Sequence, residues 1–183
     1  MKILLASASP RRRELLKKLF SDFDVTAVAA DENYRGATPS DTVTEIAKRK
    51  GEAVKADYDL IIAADTMVFF GERHLGKPKD TADAFQMLSM LNGKTHTVVT
   101  GVYLRTKETA RLISVSTSVT FDKKSDEELK SYIRTHKVLD KAGAYAIQDG
   151  VLVKSIDGDY DNVVGLPVEA IRNTLEKMGC LHE

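Results

Sequence analysis

The chain has 183 residues, of which 43% are hydrophobic, and suits one domain spanning residues 1–183, or two lobes that share a sheet. Its 27 basic and 27 acidic side chains balance, which argues against a general binder of nucleic acid or membrane surfaces. The lone cysteine, Cys180, excludes an internal disulfide, and the chain shows neither an apolar run of membrane-spanning length nor a signal peptide, so we expect a cytoplasmic protein.

The first segment, residues 3–19, is typical of a strand, a turn and a helix. Residues 3–6 form an apolar run suited to a strand buried on both faces, Ser9 is a candidate N-cap, and Pro10 fits the first helical position. Three arginines at 11–13 then occupy the first helical turn, where the helix dipole disfavours cations. We favour an anionic ligand, such as a phosphate chain held by turn N–H groups and guanidinium groups, over a solvated basic face.

The remaining hydrophobic patterns predict further strands and helices in alternation. In chain order they are a strand at 23–29, a helix at 41–55, a strand at 60–70, a helix at 81–91, strands at 95–105 and 111–121, a helix opened by a capping box at 125–128, a strand at 151–156 and a helix at 168–178. Alternation in the first half favours parallel pairing, and adjacent strands later favour antiparallel pairing. The predicted fold class is therefore α/β with a mixed sheet flanked by helices.

Two charged residues interrupt predicted apolar surfaces. Lys50 falls within the apolar stripe of the helix at 41–55, so it either snorkels to solvent or meets an anion. Asp65 interrupts the strand at 60–70, and a buried carboxylate needs a cation, a metal or hydrogen-bond donors. A structural salt bridge is one interpretation, and we favour a metal ligand or general base. His96 is expected to form a strand-end hydrogen bond and not to bind metal.

Charged and small side chains recur at the predicted strand ends and turns. They are the cations Arg11, Arg12, Lys50, Lys77 and Lys141, the carboxylates Asp31, Glu32, Asp65 and Asp140, and the small residues Ser7, Ser9 and Gly76. No Ser-His-Asp or Cys-His arrangement is evident. Oxygen ligands beside cations indicate phosphate-directed chemistry with a hard cation such as Mg²⁺ or Mn²⁺. The residues alone therefore predict hydrolysis of a phosphate ester or anhydride.

Many of these residues lie in motifs that resemble the Maf family of nucleoside triphosphate pyrophosphatases. The matching pieces are Leu5-Ala-Ser-Ala-Ser-Pro-Arg-Arg12, Asp31-Glu32, Lys50, Ala64-Asp65-Thr66, Gly76-Lys77-Pro78, His96-x-Val-x-Thr-Gly101, Asp140-Lys-Ala-Gly-Ala-Tyr145, Ile147-Gln148 and Val164-Gly-Leu-Pro167. They occur in family order from end to end. The resemblance implies a single Maf-like domain with an inosine-triphosphate-pyrophosphatase-like fold, in which two lobes of an elongated mixed sheet flank a central cleft.

The resemblance also implies an activity and assigns residues to it. The implied reaction is hydrolysis of dTTP and UTP, with modified pyrimidine nucleotides as further candidates, to the monophosphate and pyrophosphate. By position, Asp65 matches the proton acceptor, Lys77 and Glu32 match other catalytic residues, and Asp65 and Glu32 match ligands of Mg²⁺ or Mn²⁺. The implied substrate-binding residues are Ser7, Arg11, Arg12, Lys50, Thr66 and Gln148.

Thr66 and Gln148 resemble the branch of the family that acts on dTTP and UTP, and not the sister branch that acts on 7-methyl-GTP. A glutamine side chain offers one donor and one acceptor, which suits the N3–H and O4 edge of uracil or thymine. One departure follows the helix opened at 125–128, where His136-Lys-Val-Leu139 replaces the family's common Gly-Glu-Pro. We expect this replacement to affect the rate or the metal preference.

The partners expected from the sequence are few. A nucleoside triphosphate is the expected ligand, with no nucleic acid and no membrane, and a homodimer is implied by the family resemblance alone. The alternative function is a nucleotide-binding regulatory protein of cell division without significant turnover. The carboxylates at Asp65 and Glu32 speak against it, because a pure binder of polyanions gains nothing from them without a metal.

Overall fold

The computed structural model describes residues 1–181, which form seven strands, six α-helices and two 3₁₀ turns. The strands are β1 Ile3–Ala6, β2 Asp24–Thr26, β3 Leu60–Phe70, β4 Arg73–Leu75, β5 Thr95–Thr106, β6 Ala110–Phe121 and β7 Val153–Asp157. The helices are α1 Pro10–Leu16, α2 Pro39–Glu52, α3 Thr81–Leu91, α4 Asp126–Thr135, α5 Tyr160–Val164 and α6 Val168–Lys177, and the 3₁₀ turns are Ala142–Ala144 and Ile147–Asp149.

The strands form one mixed sheet, in agreement with the predicted fold class. Their order is β2-β1-β3-β5-β6-β7, with β4 paired to β3. Strand β1 pairs in parallel with β2 and β3, whereas β4 is antiparallel to β3 and β7 is antiparallel to β6. No helix within residues 1–181 is both long enough and apolar enough to cross a membrane.

The chain forms two compact units. Unit 1 comprises Met1–Thr66, Val99–Val115 and the segment from Asp161 onward, and unit 2 comprises Met67–Val98 and Ser116–Tyr160. The single domain over residues 1–183 and the central cleft stay predictions.

In unit 1 the alternation of strand β3 sends neighbouring side chains to two different cores. Ile62 packs in the core that contains Leu16 of α1 and Ile171 of α6. Ile61 packs in the opposite core with Ala47 of α2. Because side chains alternate along a strand, the even-numbered residues of β3 face α1 and α6, and the odd-numbered ones face α2. Within unit 1 the sheet is therefore covered on both faces.

Helix α2 begins at a capping box and lies directly on β5. Thr38 Oγ1 accepts from the Asp41 N–H at 3.1 Å, and the Thr38 N–H donates to Asp41 Oδ2 at 3.1 Å. A Cβ placed on Gly101 of β5 would lie 2.5 Å from the backbone carbonyl carbon of Val43. Glycine is therefore the residue that lets the helix backbone meet the strand backbone, and this contact fixes the height of α2 above the sheet.

Several boundaries differ from the sequence-based expectations. Helix α1 ends at Leu16 and not at residue 19, helix α2 is displaced toward the N-terminus of its predicted range, and β2 has only three residues. All three residues of β2 are exposed at the edge of the sheet, so the apolar run at 23–29 does not mark a long buried strand. Strand β4 and helix α5 were missed because elements of three and five residues are too short to show a periodicity.

In unit 2, His96 is buried at the start of β5. Its Nε2 lies 2.7 Å from Tyr145 Oη, and its ring packs edge-on against the rings of Phe121 and Tyr145. The prediction of a strand-end hydrogen bond is therefore confirmed.

The burial of His96 predicts a loss of stability in acid. Burial lowers the pKa of His96 from 6.5 to about 4. Between these values the unfolded chain binds a proton that the folded chain does not, so stability falls as the pH drops from about 6.5 toward 4. We expect His96→Gln, which cannot titrate, to lose about 2 kcal/mol less than the wild type between pH 7 and pH 4.5. Urea unfolding at both pH values measures this, and equal losses in the two proteins would contradict it.

Candidate functional site

A buried lysine joins two carboxylates on the α2 face of the sheet in unit 1. Asp65 is an odd-numbered residue of β3 and so faces α2, whose last turn carries Lys50. Lys50 Nζ lies 2.8 Å from Asp65 Oδ1 and 2.9 Å from Glu32 Oε1. The Lys50 and Asp65 side chains are only 11% and 8% exposed, whereas Glu32 is 56% exposed. We call these three residues the Lys50 cluster; of the two alternatives for Lys50, meeting an anion is the one observed.

The second oxygen of Asp65 is left for a ligand. Asp65 Oδ2 is buried and has no hydrogen-bond partner in the part of the chain that the structure describes. A buried carboxylate oxygen without a donor is costly, so a cation or a water molecule bound there would be favourable. Lys50 fixes Oδ1, and this contact orients Oδ2.

The Lys50 cluster also bears on the predicted metal site. Within residues 1–181, no group of three or more His, Cys, Asp or Glu side chains is arranged to hold a metal ion. Asp65 Oδ2 and the carboxylate of Glu32 nevertheless fit a hard cation that takes its remaining ligands from water or phosphate oxygens. Asp65 can therefore form its salt bridge with Lys50 and also act as a metal ligand or a base, because the salt bridge uses Oδ1 and the other role uses Oδ2.

Arg12 forms a second group on the opposite face of the sheet. Its Nε donates to the Gly165 carbonyl at 2.8 Å, Nη1 donates to Ser7 Oγ at 3.3 Å, and Nη2 donates to Thr66 Oγ1 at 3.0 Å. Thr66 is even-numbered and so faces α1, the helix that carries Arg12. A guanidinium has five N–H groups, so these three bonds fix its plane and leave two donors for a ligand.

Burial and the charges around Arg12 have opposing effects on its pKa. Burial lowers the pKa of Arg12, the nearby charge of Asp65 raises it, Arg11 lowers it further, and Glu32 raises it. Arginine remains protonated in proteins, so the balance does not remove its charge. The two carboxylates therefore help to hold a partly buried cation that still has donors to offer an anion.

The turn between β1 and α1 uses most of its own amides. The Ser7 N–H donates to the Leu5 carbonyl at 3.0 Å, the Ser9 N–H to Ser7 Oγ at 3.2 Å, and the Arg12 N–H to Ser9 Oγ at 3.4 Å. These three N–H groups are therefore not available to a phosphate, and binding of an anion by the turn amides stays a prediction for the other residues of the turn. The Ser7 hydroxyl accepts two hydrogen bonds and keeps its own O–H as a donor for an anion.

Thr66 and Thr100 extend the Arg12 contacts into a directed chain of hydrogen bonds. Thr100 Oγ1 donates to the Asn162 carbonyl at 3.0 Å, which uses its only hydroxyl hydrogen. In the 2.9 Å contact between Thr66 and Thr100, Thr66 is therefore the donor, and the same hydroxyl has a longer contact of 3.4 Å with the Gly165 carbonyl. Thr66 in turn accepts from Arg12, so every bond runs in one direction, from Arg12 to Asn162. We call this chain the Arg12 relay, and the completely buried Thr100 is its fixed point.

Removing the hydroxyl of Thr100 should loosen the Arg12 relay. Thr100→Val keeps the side-chain volume but removes the oxygen that accepts from the Thr66 hydroxyl and the O–H that donates to the Asn162 carbonyl. We therefore expect the free energy of unfolding to fall by about 2 kcal/mol. Affinity for inorganic triphosphate, measured by calorimetry, should fall as well, because Arg12 is no longer held. Thr100→Ser restores the hydroxyl and should recover both values. Wild-type triphosphate affinity in the valine variant would contradict the relay.

The structure places the predicted site residues in two units. Lys77 is exposed in unit 2 after Gly76, whose carbonyl accepts from the Gly143 N–H at 3.1 Å. Gln148 is exposed on the second 3₁₀ turn of unit 2, and Arg11 is half-buried in unit 1. The residues that unit 1 brings together are Glu32, Lys50 and Asp65 on one face of its sheet, and Ser7, Arg12 and Thr66 on the other. The roles of Arg11, Lys77 and Gln148 stay predictions.

Thr100 and Gly165 contribute to the Arg12 contacts but are not among the site residues predicted from the sequence. Gly165 has a φ of +129°, a backbone conformation that favours glycine. A Cβ there would lie at ordinary contact distances of 3.5 Å from Thr66 Oγ1 and 3.6 Å from Arg12 Nε, so the backbone conformation and not the available space favours glycine. Both residues lie inside the quoted motifs, and motif membership was the only signal that could have found them.

The chain closely resembles several proteins of known family. A protein of Thermosipho africanus named dTTP/UTP pyrophosphatase is 44% identical over 183 residues, which cover 99% of this chain and 95% of that protein. Proteins of the same name from Geotalea uraniireducens and Latilactobacillus sakei are 46% and 43% identical, covering 98% and 94% of this chain and 96% and 98% of their own lengths.

A solved structure and a family model extend the comparison. The Ham1 protein of Staphylococcus aureus has a similar fold, with a TM-score of 0.58 at 18% identity, covering 97% of this chain and 100% of its own. This likeness supports the predicted inosine-triphosphate-pyrophosphatase-like fold. A family model described as Maf-like protein matches residues 2–178. Because that match spans nearly the whole sequence, the chain belongs to the Maf family.

Proposed function

We propose that this protein hydrolyses dTTP and UTP to the nucleoside monophosphate and pyrophosphate. The relatives at 43–46% identity carry the name dTTP/UTP pyrophosphatase. The observation that carries the proposal is Asp65, a buried carboxylate with one oxygen fixed by Lys50 and the other left for a ligand. Arg12, whose pKa responds to the charge of Asp65, supplies two further donors for an anion.

The residues of unit 1 can carry the hydrolytic step. A water oxygen attacks the α-phosphorus and its proton passes to Asp65 Oδ2, while the bond from the α-phosphorus to the bridging oxygen breaks. Pyrophosphate leaves with that oxygen. Negative charge develops on the phosphate oxygens. Arg12 extends from the opposite face of the sheet but is close enough to feel the charge of Asp65, and we assign its spare N–H groups and the hydroxyl of Ser7 to stabilising that negative charge. Lys50 keeps Asp65 oriented throughout, because it binds the oxygen that does not take the proton.

A divalent cation, Mg²⁺ or Mn²⁺, is part of the proposal. Asp65 and Glu32 are the residues that would hold it, since both supply oxygen atoms. Asp65 Oδ2 has no protein donor among the described residues, and its two lone-pair sites would serve the cation and the proton separately. When bound, the cation supplies positive charge to the triphosphate. Removing divalent cations with a chelator should stop pyrophosphate release, and adding Mg²⁺ or Mn²⁺ should restore it.

Three further residues are assigned to the substrate on their motif positions. Arg11 and Lys77 are proposed to neutralise the triphosphate, and exposed Gln148 is proposed to hydrogen-bond the N3–H and O4 edge of the base. A pocket distinguishes one methyl group weakly, so acceptance of both uracil and thymine follows. A cytoplasmic location, a homodimer and the lack of nucleic-acid binding also stay predictions from the sequence.

The experiment that tests the function is a panel of nucleoside triphosphates assayed for pyrophosphate. The panel includes dTTP, UTP, CTP, the purine triphosphates, 7-methyl-GTP and modified pyrimidine triphosphates. We expect the highest kcat/KM with dTTP and UTP. Hydrolysis of purine triphosphates alone would overturn the proposal, and nucleotide binding without pyrophosphate release would favour the regulatory alternative.

A further inference from the structure

The turn that carries Gln148 is tied at both ends to one side chain of α4. The Ala146 N–H donates to Tyr132 Oη at 3.2 Å, and the Tyr132 hydroxyl donates to Asp149 Oδ2 at 2.5 Å. Ala146 and Asp149 bracket Ile147 and Gln148 in the sequence. A single hydroxyl therefore accepts from the residue before this pair and donates to the residue after it.

Tyr132 is itself held in place. Its side chain is buried, and its ring stacks on that of His136 with centroids 4.3 Å apart and planes 22° apart. His136 Nδ1 also lies 3.1 Å from the Tyr132 carbonyl. Burial and the hydrogen bond to Asp149 raise the pKa of Tyr132, so the hydroxyl keeps its proton and remains a donor. The residue that begins the departure from the family pattern, His136, thus supports the ring of Tyr132.

The backbone around Gln148 is fixed, but its side chain is available. Ile147 is buried beside it, and Gly150 closes the turn with a φ of +66° and an N–H that donates to the Ile147 carbonyl at 3.2 Å. Gln148 is exposed. A rigid turn that presents one exposed amide is suited to recognising a ligand by hydrogen bonds, because little conformational freedom is lost on binding.

We propose that Tyr132 is a positioning residue for base recognition, and that its hydroxyl holds Gln148 where its amide meets the pyrimidine edge. This inference rests on the proposed function, because it requires Gln148 to contact the base. Tyr132 acts on recognition of the base and not on the hydrolytic step, since its bonds are to the turn of Gln148. Its loss should therefore raise the KM for the preferred nucleotide more than it lowers kcat.

The test compares the preference for UTP over CTP, as the ratio of their kcat/KM values, in single variants. Tyr132→Phe removes only the hydroxyl, and we expect it to lower the preference about 10-fold, mainly through the KM for UTP. Gln148→Ala should lower the preference at least as far. The double variant should fall no further than Gln148→Ala alone, because both changes remove the same interaction. A purely structural role for Tyr132 would lower both activities together and leave the ratio unchanged.

Matched controls separate positioning from general damage to unit 2. Tyr145→Phe also removes a buried hydroxyl, but one that pairs with His96 at 2.7 Å, so the preference should stay within about twofold of the wild type. Asp149→Ala should lower the preference, whereas Asp149→Asn keeps an acceptor for Tyr132 and should retain it. If Tyr132→Phe fails to fold, the comparison of Asp149→Ala with Asp149→Asn still tests the inference.

The outcomes that overturn the inference are distinct from failure of the proposed function. Wild-type protein that releases no pyrophosphate from UTP refutes the proposed function before any variant is made. If the wild type is active and prefers UTP, a preference unchanged in Gln148→Ala overturns the inference. The inference is also overturned if Gln148→Ala abolishes the preference for UTP over CTP while Asp149→Ala retains it within about twofold of the wild type. If Tyr132→Phe folds, it must retain the preference within the same limit for that outcome to hold.

Discussion

Asp65→Asn should lower kcat for pyrophosphate release from dTTP and UTP by about 1,000-fold, the loss expected when a general base is replaced by a group that cannot take the proton. The amide oxygen can still accept from Lys50, and Lys50 keeps its ion pair with Glu32. We therefore expect the variant to fold and to melt within a few degrees of the wild type. Steady-state assays of pyrophosphate together with thermal unfolding measure both quantities.

The control for this variant is the same change at an exposed carboxylate. Asp57 is 84% exposed, and within residues 1–181 it forms an ion pair with Lys107 alone, so Asp57→Asn should retain wild-type kcat. If Asp65→Asn kept more than about a tenth of the wild-type kcat, Asp65 would not be the proton acceptor. The attack would then depend on another base or on water alone.

Gly101→Ala should give the largest loss of stability. The new Cβ would lie 2.5 Å from the Val43 carbonyl carbon and 2.6 Å from the Thr44 nitrogen, and both are backbone atoms that cannot turn aside. Helix α2 must therefore move off β5, and we expect a loss of about 3 kcal/mol in the free energy of unfolding. Because α2 carries Lys50, kcat should fall as well. Urea unfolding and the pyrophosphate assay measure the two effects.

A glycine in open surroundings provides the comparison for Gly101. At Gly76 the new Cβ would meet only the His74 ring, at 3.5 Å, so Gly76→Ala should change the free energy of unfolding by less than about 1 kcal/mol. Equal losses in the two variants would show that the contact between α2 and β5 does not depend on glycine.

Local signals in the sequence were sufficient for the longer elements. The capping box at Ser125 and the N-cap at Asp80 mark the starts of α4 and α3, because their side chains satisfy backbone donors that the helix leaves open. The end of α1 and the length of β2 could not be predicted, since they depend on tertiary contacts that periodicity does not report. Buried Leu16 looks the same in the sequence as half-buried Leu19, which lies beyond the helix.

The site residues likewise fall into those that the sequence predicts and those that only the structure shows. Lys50 and Asp65 were found because each breaks an apolar pattern, and the cost of burying a lone charge predicts that each needs a partner. That they are each other's partner follows only from the packing of α2 on β3. Thr100 could not be found by this reasoning, because threonine is a common strand residue. Its role depends on which of the two threonine hydroxyls donates the hydrogen bond between them, and only the structure shows that.

Asp65 and Thr66 are consecutive residues, yet one meets Lys50 and the other meets Arg12 on opposite faces of the sheet. If β3 paired with β1 one residue out of register, each side chain would be delivered to the wrong face. The slipped chain would keep its strands and helices, and its circular dichroism would change little. Recovery of enzymatic activity after refolding should therefore report the fraction of molecules with native strand registry, which spectroscopy of secondary structure alone would miss.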